Sequence, residues 1–176
     1  MNIVLIGMPT SGKSTAGILL AKTIGYGFID CDLLIQNREK GLLCDIISAR
    51  GTEAFLRIEE EVNAELWAER CVIATGGSAV YSDQAMRHLK EGGPAVYFRL
   101  SEKVIESRLK DVFIRGVVMR SPGETVAELY AERIPLYEKY ADITIDCDEL
   151  SPEQTVRAVV DALGVHSSYS SMRGIK

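Results

Sequence analysis

Short apolar runs alternate along the chain with longer stretches in which apolar residues recur at helical spacing. The clearest helical stretch is Ser14 to Ile24, where Ala16 and Leu20 share one face and Gly25 follows the last turn. The apolar runs are four or five residues long and predict strands at 2–6, 27–30, 71–74, 95–98 and 143–146. Strands that alternate with helices form βαβ units, so the pattern predicts an α/β fold with a parallel sheet covered on both faces.

The remaining helices are predicted from the same spacing and from capping signals. Ser151-Pro152-Glu153-Gln154 is a capping box with proline at the first helical position, and it opens the last helix. After Gly164 the sequence is rich in serine and has no period, so residues 165–176 are expected to form a flexible tail on a single domain at 1–164. The other helices are predicted at 33–39, 44–49, 53–69, 84–90 and 101–109.

One segment, at about 111–124, breaks the regular alternation. It carries Arg115, Gly116, Arg120 and Pro122 between two helical stretches. A loop of that length in a compact domain is usually functional, and often it is a lid over a site. We therefore predict a lid at 111–124.

Composition and charge narrow the possible functions. The chain has 176 residues, 47% of them hydrophobic, and a formal net charge of -5, which suits a globular domain and argues against binding nucleic acid through bulk positive charge. No apolar run approaches the roughly 18 residues of a membrane span, and the first residues lack the charged region of a signal peptide. The four cysteines are not spaced as pairs, so we expect reduced thiols and a cytoplasmic protein.

The most specific motif in the sequence is a phosphate-binding loop. Residues 7–14, Gly-Met-Pro-Thr-Ser-Gly-Lys-Ser, match G-x-x-x-x-G-K-[ST] at every fixed position and lie between the first strand and the first helix. Glycines let the backbone N–H groups turn toward phosphate oxygens, and the helix N-terminus adds partial positive charge. Lys13 is expected to reach the β- and γ-phosphates and Ser14 to bind Mg²⁺. The predicted ATP-binding residues of this loop are Gly7, Thr10, Ser11, Gly12, Lys13, Ser14 and Thr15.

Two carboxylates follow the second strand and are candidates for metal binding and catalysis. The chain lacks the Asn-Lys dipeptide with which GTPases recognise guanine, and the strands at 71–74 and 95–98 end without the aspartate of motor and transporter ATPases. Asp30 and Asp32 instead end the second strand, at the same edge of the sheet as the phosphate-binding loop. They are suited to ordering Mg²⁺ and to accepting a proton from a substrate hydroxyl. Asp32 also has an alternative role as the N-cap of a helix that begins at Leu33.

With these features together, the sequence resembles the shikimate kinase family over residues 1 to 163. The resemblance rests on the loop at 7–14, Asp30-x-Asp32, Phe55 with Glu59 four residues on, Gly76-Gly77, Arg115 and Arg133 before Pro135-Leu136-Tyr137, followed by Ala141-Asp142. It implies a three-layer α/β/α fold, that of the P-loop NTPases of the nucleoside-monophosphate-kinase type, with a five-stranded parallel sheet and a lid. It also implies ATP with Mg²⁺ as donor, shikimate as acceptor and shikimate 3-phosphate as product, in aromatic amino acid biosynthesis, and it suggests a monomer.

The resemblance also implies roles for individual residues. Asp32 would hold the acceptor hydroxyls and act as base, and Asp30 would help order the metal. Gly76 and Gly77 would offer backbone N–H groups to the acceptor, and Arg133 would bind its carboxylate. Arg115 would close onto the transferring phosphoryl group, and Arg108 would stack on adenine.

Three positions depart from the family pattern and leave alternatives open. Leu56 stands where the family has arginine, Ser78 where it has a third glycine, and Gly116 where it usually has proline. Arg57 is a candidate acceptor ligand, although on a helix it points about 100° away from Leu56. The alternatives are a kinase of the same fold for a sugar acid or nucleotide, and a nucleotide-binding regulatory module without an acceptor. Retention of Asp32, Arg115 and Arg133 together argues against the module.

Overall fold

Five parallel strands form the centre of the protein, as seen in a computed structural model that describes residues 1–109 and 123–165. Their order across the sheet is β2-β3-β1-β4-β5, and each neighbouring pair is parallel. The predicted fold class is confirmed. The strands are β1 (Ile3–Ile6), β2 (Gly27–Asp30), β3 (Cys71–Ala74), β4 (Ala95–Arg99) and β5 (Ile143–Asp146).

Eight helices are described around the sheet, together with a 3₁₀ turn at Ala79–Tyr81. The predicted capping box at Ser151 is present and opens the last helix with Pro152. The penultimate helix continues through Pro135 and is opened by a second capping box at Thr125. The helices are α1 (Lys13–Ile24), α2 (Cys31–Glu39), α3 (Leu43–Arg50), α4 (Thr52–Ala64), α5 (Asp83–Glu91), α6 (Glu102–Leu109), α7 (Val126–Tyr140) and α8 (Pro152–Leu163).

Two helix boundaries differ from the sequence-based predictions by two residues or more. The helix predicted to reach residue 69 ends at Ala64, and Trp67, within the predicted extension, is 85% exposed. Arg70 has φ 53°, a left-handed conformation that turns the chain into β3. At the other boundary, α2 begins at Cys31 and not at Leu33, because the capping side chain is that of Asp30.

The predicted lid and tail fall almost wholly outside the described residues. Of the lid at 111–124 only Gly123 and Glu124 are described, and of the tail at 165–176 only Val165. Arg115 therefore lies outside the described residues. Within residues 1–109 and 123–165, no helix combines the length and the apolarity needed to cross a membrane.

Two apolar clusters make up the core of the described residues, and α4 contributes to the smaller one. The larger cluster includes β1 and residues 95–98 of β4, which are almost fully buried, together with Leu20. The smaller cluster joins α2, α3 and α4 through Ile35, Leu43, Ile46, Phe55, Ile58 and Val62. The α4 members of this cluster, Phe55, Ile58 and Val62, form an apolar stripe along the helix. Two buried polar residues of α4, Glu59 and Asn63, lie beside this stripe. The polar side of α4 therefore borders the site described next.

Strand order decides where a ligand can bind. Because the strands are parallel, the connections that follow β1 and β3 leave the sheet at the same carboxyl edge. β1 lies between β3 and β4, so these two connections begin side by side. In open parallel sheets, ligands bind in the crevice at that edge. Gly7, Asp30 and Thr75 stand there, directly at or after the ends of β1, β2 and β3.

Candidate active site

The backbone at residues 7–12 adopts the conformation that a phosphate-binding loop requires. Gly7, Thr10 and Gly12 have φ values of 145°, 66° and 90°. At Gly7 a Cβ atom would lie 2.7 Å from the Phe98 carbonyl oxygen, so a side chain would collide with β4. Helix α1 begins at Lys13 without a side-chain cap, which leaves the N–H groups of its first turn available to an anion. Ser11 lies buried in this loop, while Ser14 and Thr15 are exposed at its mouth.

Lys13 places a buried ammonium group directly over the loop. Its Nζ atom donates hydrogen bonds to the carbonyl oxygens of Gly7 at 2.8 Å and Met8 at 2.9 Å, and to Ser11 Oγ at 3.3 Å. Burial lowers the pKa of Lys13 to about 8, although the charge of Asp32 acts in the opposite direction. A buried ammonium group that hydrogen-bonds to carbonyl and hydroxyl oxygens, beside a loop shaped for an anion, fits the phosphates of a nucleotide.

Asp30 caps α2 and at the same time binds the hydroxyl of Ser14. Its Oδ1 atom accepts from the backbone N–H groups of Asp32 at 3.0 Å and Leu33 at 3.4 Å, while Ser14 Oγ donates to Oδ2 at 2.6 Å. The suggestion that Asp32 caps this helix is therefore wrong. A hydroxyl and a carboxylate held together beside the loop are oxygen donors of the kind that Mg²⁺ takes.

Gly76 and Gly77 form a turn after β3 on which four side chains converge. A Cβ atom on Gly76 would overlap Glu59 Oε1 and lie 2.8 Å from Asp32 Oδ1. A Cβ atom on Gly77 would lie 2.8 Å from Pro9 Cδ and 3.1 Å from Arg133 Nη1. The two glycines thus leave the space in which both carboxylates, the guanidinium group and the phosphate-binding loop come together. Sequence analysis singled out both glycines, and the structure gives the steric reason.

Arg133 is held against this turn by two tyrosines. It is fully buried, its Nε atom donates to Tyr81 Oη at 3.0 Å, and its guanidinium carbon lies 5.1 Å from the centre of the Tyr81 ring. Tyr137, one turn further along α7, donates from its hydroxyl to the Gly77 carbonyl oxygen at 2.6 Å. A buried guanidinium fixed in this way can form a charge-assisted pair with a carboxylate ligand.

Glu59 belongs to the site, although the sequence indicated it only through its position four residues after Phe55. Its side chain is buried, Ser78 donates a hydrogen bond to the carboxyl group, and Oε1 has no hydrogen-bond partner among the described residues. Burial, together with the charge of Asp32, raises the pKa of Glu59 to about 7, although the hydrogen bond from Ser78 acts in the opposite direction. Burial, together with the charge of Asp30, raises the pKa of Asp32 to about 6. An acidic residue beside the apolar stripe of α4 is the sequence signal that could have identified Glu59 as part of the site.

The remaining predicted residues that the structure describes lie around the Gly76–Gly77 turn and the phosphate-binding loop. Leu56 and Arg57 line the same cavity, of about 190 Å³, whose other walls are Glu59, Glu60, Ser78, Ala79, Tyr81 and Ser82. Arg57 is exposed and Leu56 is half-buried. On the nucleotide side, Arg108 Nη1 donates to the Thr10 carbonyl oxygen at 3.1 Å, which places this arginine beside the phosphate-binding loop.

Comparison with known proteins gives a consistent result. The family model described as shikimate kinase matches residues 9–164. A shikimate kinase of Thermodesulfovibrio yellowstonii is 40% identical over 161 residues, which is 90% of this chain and 92% of that protein. Among solved structures, the shikimate kinase of Acinetobacter baumannii in complex with shikimate has a TM-score of 0.83 at 25% identity, covering 92% of each chain. The shikimate kinase of Aquifex aeolicus has a TM-score of 0.79 at 33% identity, covering 93% of this chain and 96% of that one.

Glu59→Gln is predicted to stabilise the protein at alkaline pH but not at acidic pH. Because the pKa of Glu59 is raised from 4.5 to about 7, the unfolded chain ionises this group first as the pH rises, and the folded wild type loses stability across that range. Glutamine does not ionise. We expect a gain on the order of 2–3 kcal/mol at about pH 8 and little change at about pH 5, measured by urea denaturation.

The matched control is Glu61→Gln, which removes the same charge from the same helix at a side chain that is 53% exposed. Its effect is expected to stay small at both pH values, since exposed ion pairs contribute little. An equal effect of Glu59→Gln at the two pH values would contradict the explanation.

Proposed function

The chain belongs to the shikimate kinase family, and from that premise we propose that it transfers the γ-phosphoryl group of ATP to a hydroxyl of shikimate, giving shikimate 3-phosphate. The observation that carries this proposal is the convergence of Asp32, Glu59 and Arg133 on the Gly76–Gly77 turn, beside the loop that holds Lys13. A phosphate-binding loop and an acceptor site must adjoin in this way for direct transfer. The enzyme is an ATP-dependent phosphotransferase that acts on an alcohol group.

The residues of the nucleotide side fit ATP with Mg²⁺. When bound, MgATP supplies the transferring phosphoryl group and a divalent cation that neutralises its charge. Lys13 would bind the terminal phosphates through the Nζ atom that now contacts the loop carbonyls. Ser14 and Asp30 supply the oxygen donors for the metal.

On the acceptor side, two groups match the chemistry of shikimate, which carries one carboxylate and neighbouring hydroxyls. Asp32 would orient a hydroxyl and accept its proton, because its carboxylate lies at the Gly76 turn and is less buried than that of Glu59. Arg133 would bind the acceptor carboxylate, since its guanidinium is fixed by Tyr81 and reaches the edge of Gly77. The backbone N–H groups of Gly76 and Gly77 would complete the acceptor site.

We also propose the arrangement of the rest of the chain. A single kinase domain spans 1–164, the segment 111–124 acts as a lid that carries Arg115 onto the phosphoryl group, and 165–176 is a flexible tail. Arg108, beside Thr10, would contact the adenine. We also propose a monomer working in the cytoplasm, where four free cysteines would stay reduced.

An acceptor panel tests the proposed reaction. ADP formation should be measured by a coupled assay with shikimate, gluconate and a nucleoside monophosphate, and the phosphorylated product identified by mass spectrometry. We expect shikimate to give the highest kcat/KM. The purified Lys13→Ala variant, checked for folding, controls for contaminating kinases because it removes the ammonium that would face the transferring group. A clear preference for gluconate or a nucleotide would contradict the proposal, and so would ADP release independent of any acceptor.

Leu56→Arg is predicted to strengthen shikimate binding. Leu56 lies in the wall of the cavity beside Glu59 and Tyr81, where an added guanidinium would provide a second cation for the acceptor carboxylate. A desolvated charge pair typically contributes about 2–5 kcal/mol, so a fall in the KM for shikimate of roughly tenfold or more is expected, with little change in the KM for ATP.

Leu56→Met is the volume-matched neutral control and should leave the KM for shikimate unchanged within about threefold. A wild-type KM in the ordinary micromolar range, with no gain from Leu56→Arg, would contradict this prediction. It would imply that Arg57, which lines the same cavity, already supplies the second cation.

A further inference from the structure

Glu59 is the one carboxylate around the Gly76–Gly77 turn that the proposed mechanism gives no role. It is 2% exposed, and the hydroxyl of Ser78 donates a hydrogen bond to its carboxyl group. The other oxygen, Oε1, points toward Gly76 and has no hydrogen-bond partner among the described residues. An ionised carboxylate without such a partner is costly to bury, whereas a neutral carboxylic acid is far less so.

The neighbouring Asp32 increases this cost. Glu59 Oε1 and Asp32 Oδ1 both lie close to the position that a Cβ atom on Gly76 would occupy. The two carboxylates therefore face the same side of the turn. Two carboxylates that share a buried space do not both ionise readily. Arg133 does not relieve Glu59 through its Nε atom, because that atom donates to Tyr81.

We propose that Glu59 positions the acceptor side of the site as a neutral carboxylic acid, and that its ionisation in alkaline solution weakens binding of the anionic acceptor. This inference rests on the proposed function. On ionisation the proton passes to solvent, and a second negative charge then stands beside Asp32 and competes with the acceptor carboxylate for Arg133. The raised pKa of Glu59, about 7, places this change within the range in which the enzyme can be assayed.

The charged and titratable groups that face Glu59 come from several elements. They are Lys13 of α1, Cys31 and Asp32 of α2, and Arg133 and Tyr137 of α7. In the helices packed on the far sides of α4, several charged side chains are paired elsewhere: Arg50 of α3 binds Glu39, and in α5 Asp83 binds Arg87 and Lys90 binds Asp142. The net effect of ionising Glu59 is therefore repulsion of an anion at the turn.

The experiment is the pH dependence of the KM for shikimate at saturating MgATP, in wild type and in three variants. For wild type we expect a rise of roughly tenfold between about pH 6 and pH 8.5, since one buried unit charge acts over a few ångströms. Glu59→Gln keeps the shape of the neutral acid and should remove most of this rise, leaving only the smaller changes that come from Asp32 and Lys13. Ser78→Ala removes a donor that favours the ionised form, so it should move the rise to higher pH. Glu61→Gln, at the surface of the same helix, should follow wild type.

A spectroscopic measurement covers the case in which a variant folds poorly. Infrared difference spectra of wild type between acidic and alkaline pH should contain a protonated carboxyl band that disappears as Glu59 ionises and is absent in Glu59→Gln. Ionisation of ATP itself affects wild type and variants alike. The same rise in KM in Glu59→Gln as in wild type would overturn the inference, and so would a carboxyl band that Glu59→Gln leaves unchanged. Failure of wild type to phosphorylate shikimate at any pH would instead overturn the proposed function.

Discussion

The absence of side chains at Gly76 and Gly77 is the constraint on which the rest of the site depends. β3 brings the turn to the carboxyl edge of the sheet, and a Cβ at either glycine would occupy space now filled by Glu59 and Asp32 or by Pro9 and Arg133. Three helices and the phosphate-binding loop can therefore approach a single turn. The fold supplies the edge, and the two glycines make the close approach possible.

Charge balance explains why so many ionisable groups tolerate burial there. Lys13 and Arg133 bring two positive charges, and Asp30, Asp32 and Glu59 can bring three negative ones. Burial raises the pKa of both Asp32 and Glu59 and lowers that of Lys13, because each group resists ionising away from water. Such mutual perturbation is frequent at catalytic sites, where groups are held close to their ligands before the ligands arrive.

The fold and the nucleotide side of the site could be predicted from local sequence patterns. All five strands and the spacing of the phosphate-binding loop are local signals, and both follow from a few neighbouring residues. The contacts of Glu59, Tyr81 and Tyr137 could not be predicted in this way, since they join α4, the turn after β3 and α7. The end of α4 was predicted too late because residues 65–69 contain no glycine or proline that would mark it. The cap of α2 was assigned to the wrong aspartate because two carboxylates stand side by side.

The most direct test of the account is the kinetics of Gly76→Ala. Its added methyl group would meet the ends of the flexible Glu59 and Asp32 side chains, so the fold can adapt while both carboxylates are displaced. The account predicts that kcat/KM for shikimate falls by roughly a hundredfold or more, since displacements of about 1 Å have effects of that size. The Kd for MgATP should stay within about threefold of wild type. Gly41→Ala, whose Cβ would lie 3.7 Å from Ile46, is the control and should change neither quantity. Wild-type kcat/KM in folded Gly76→Ala would contradict the claim that the acceptor binds at this turn.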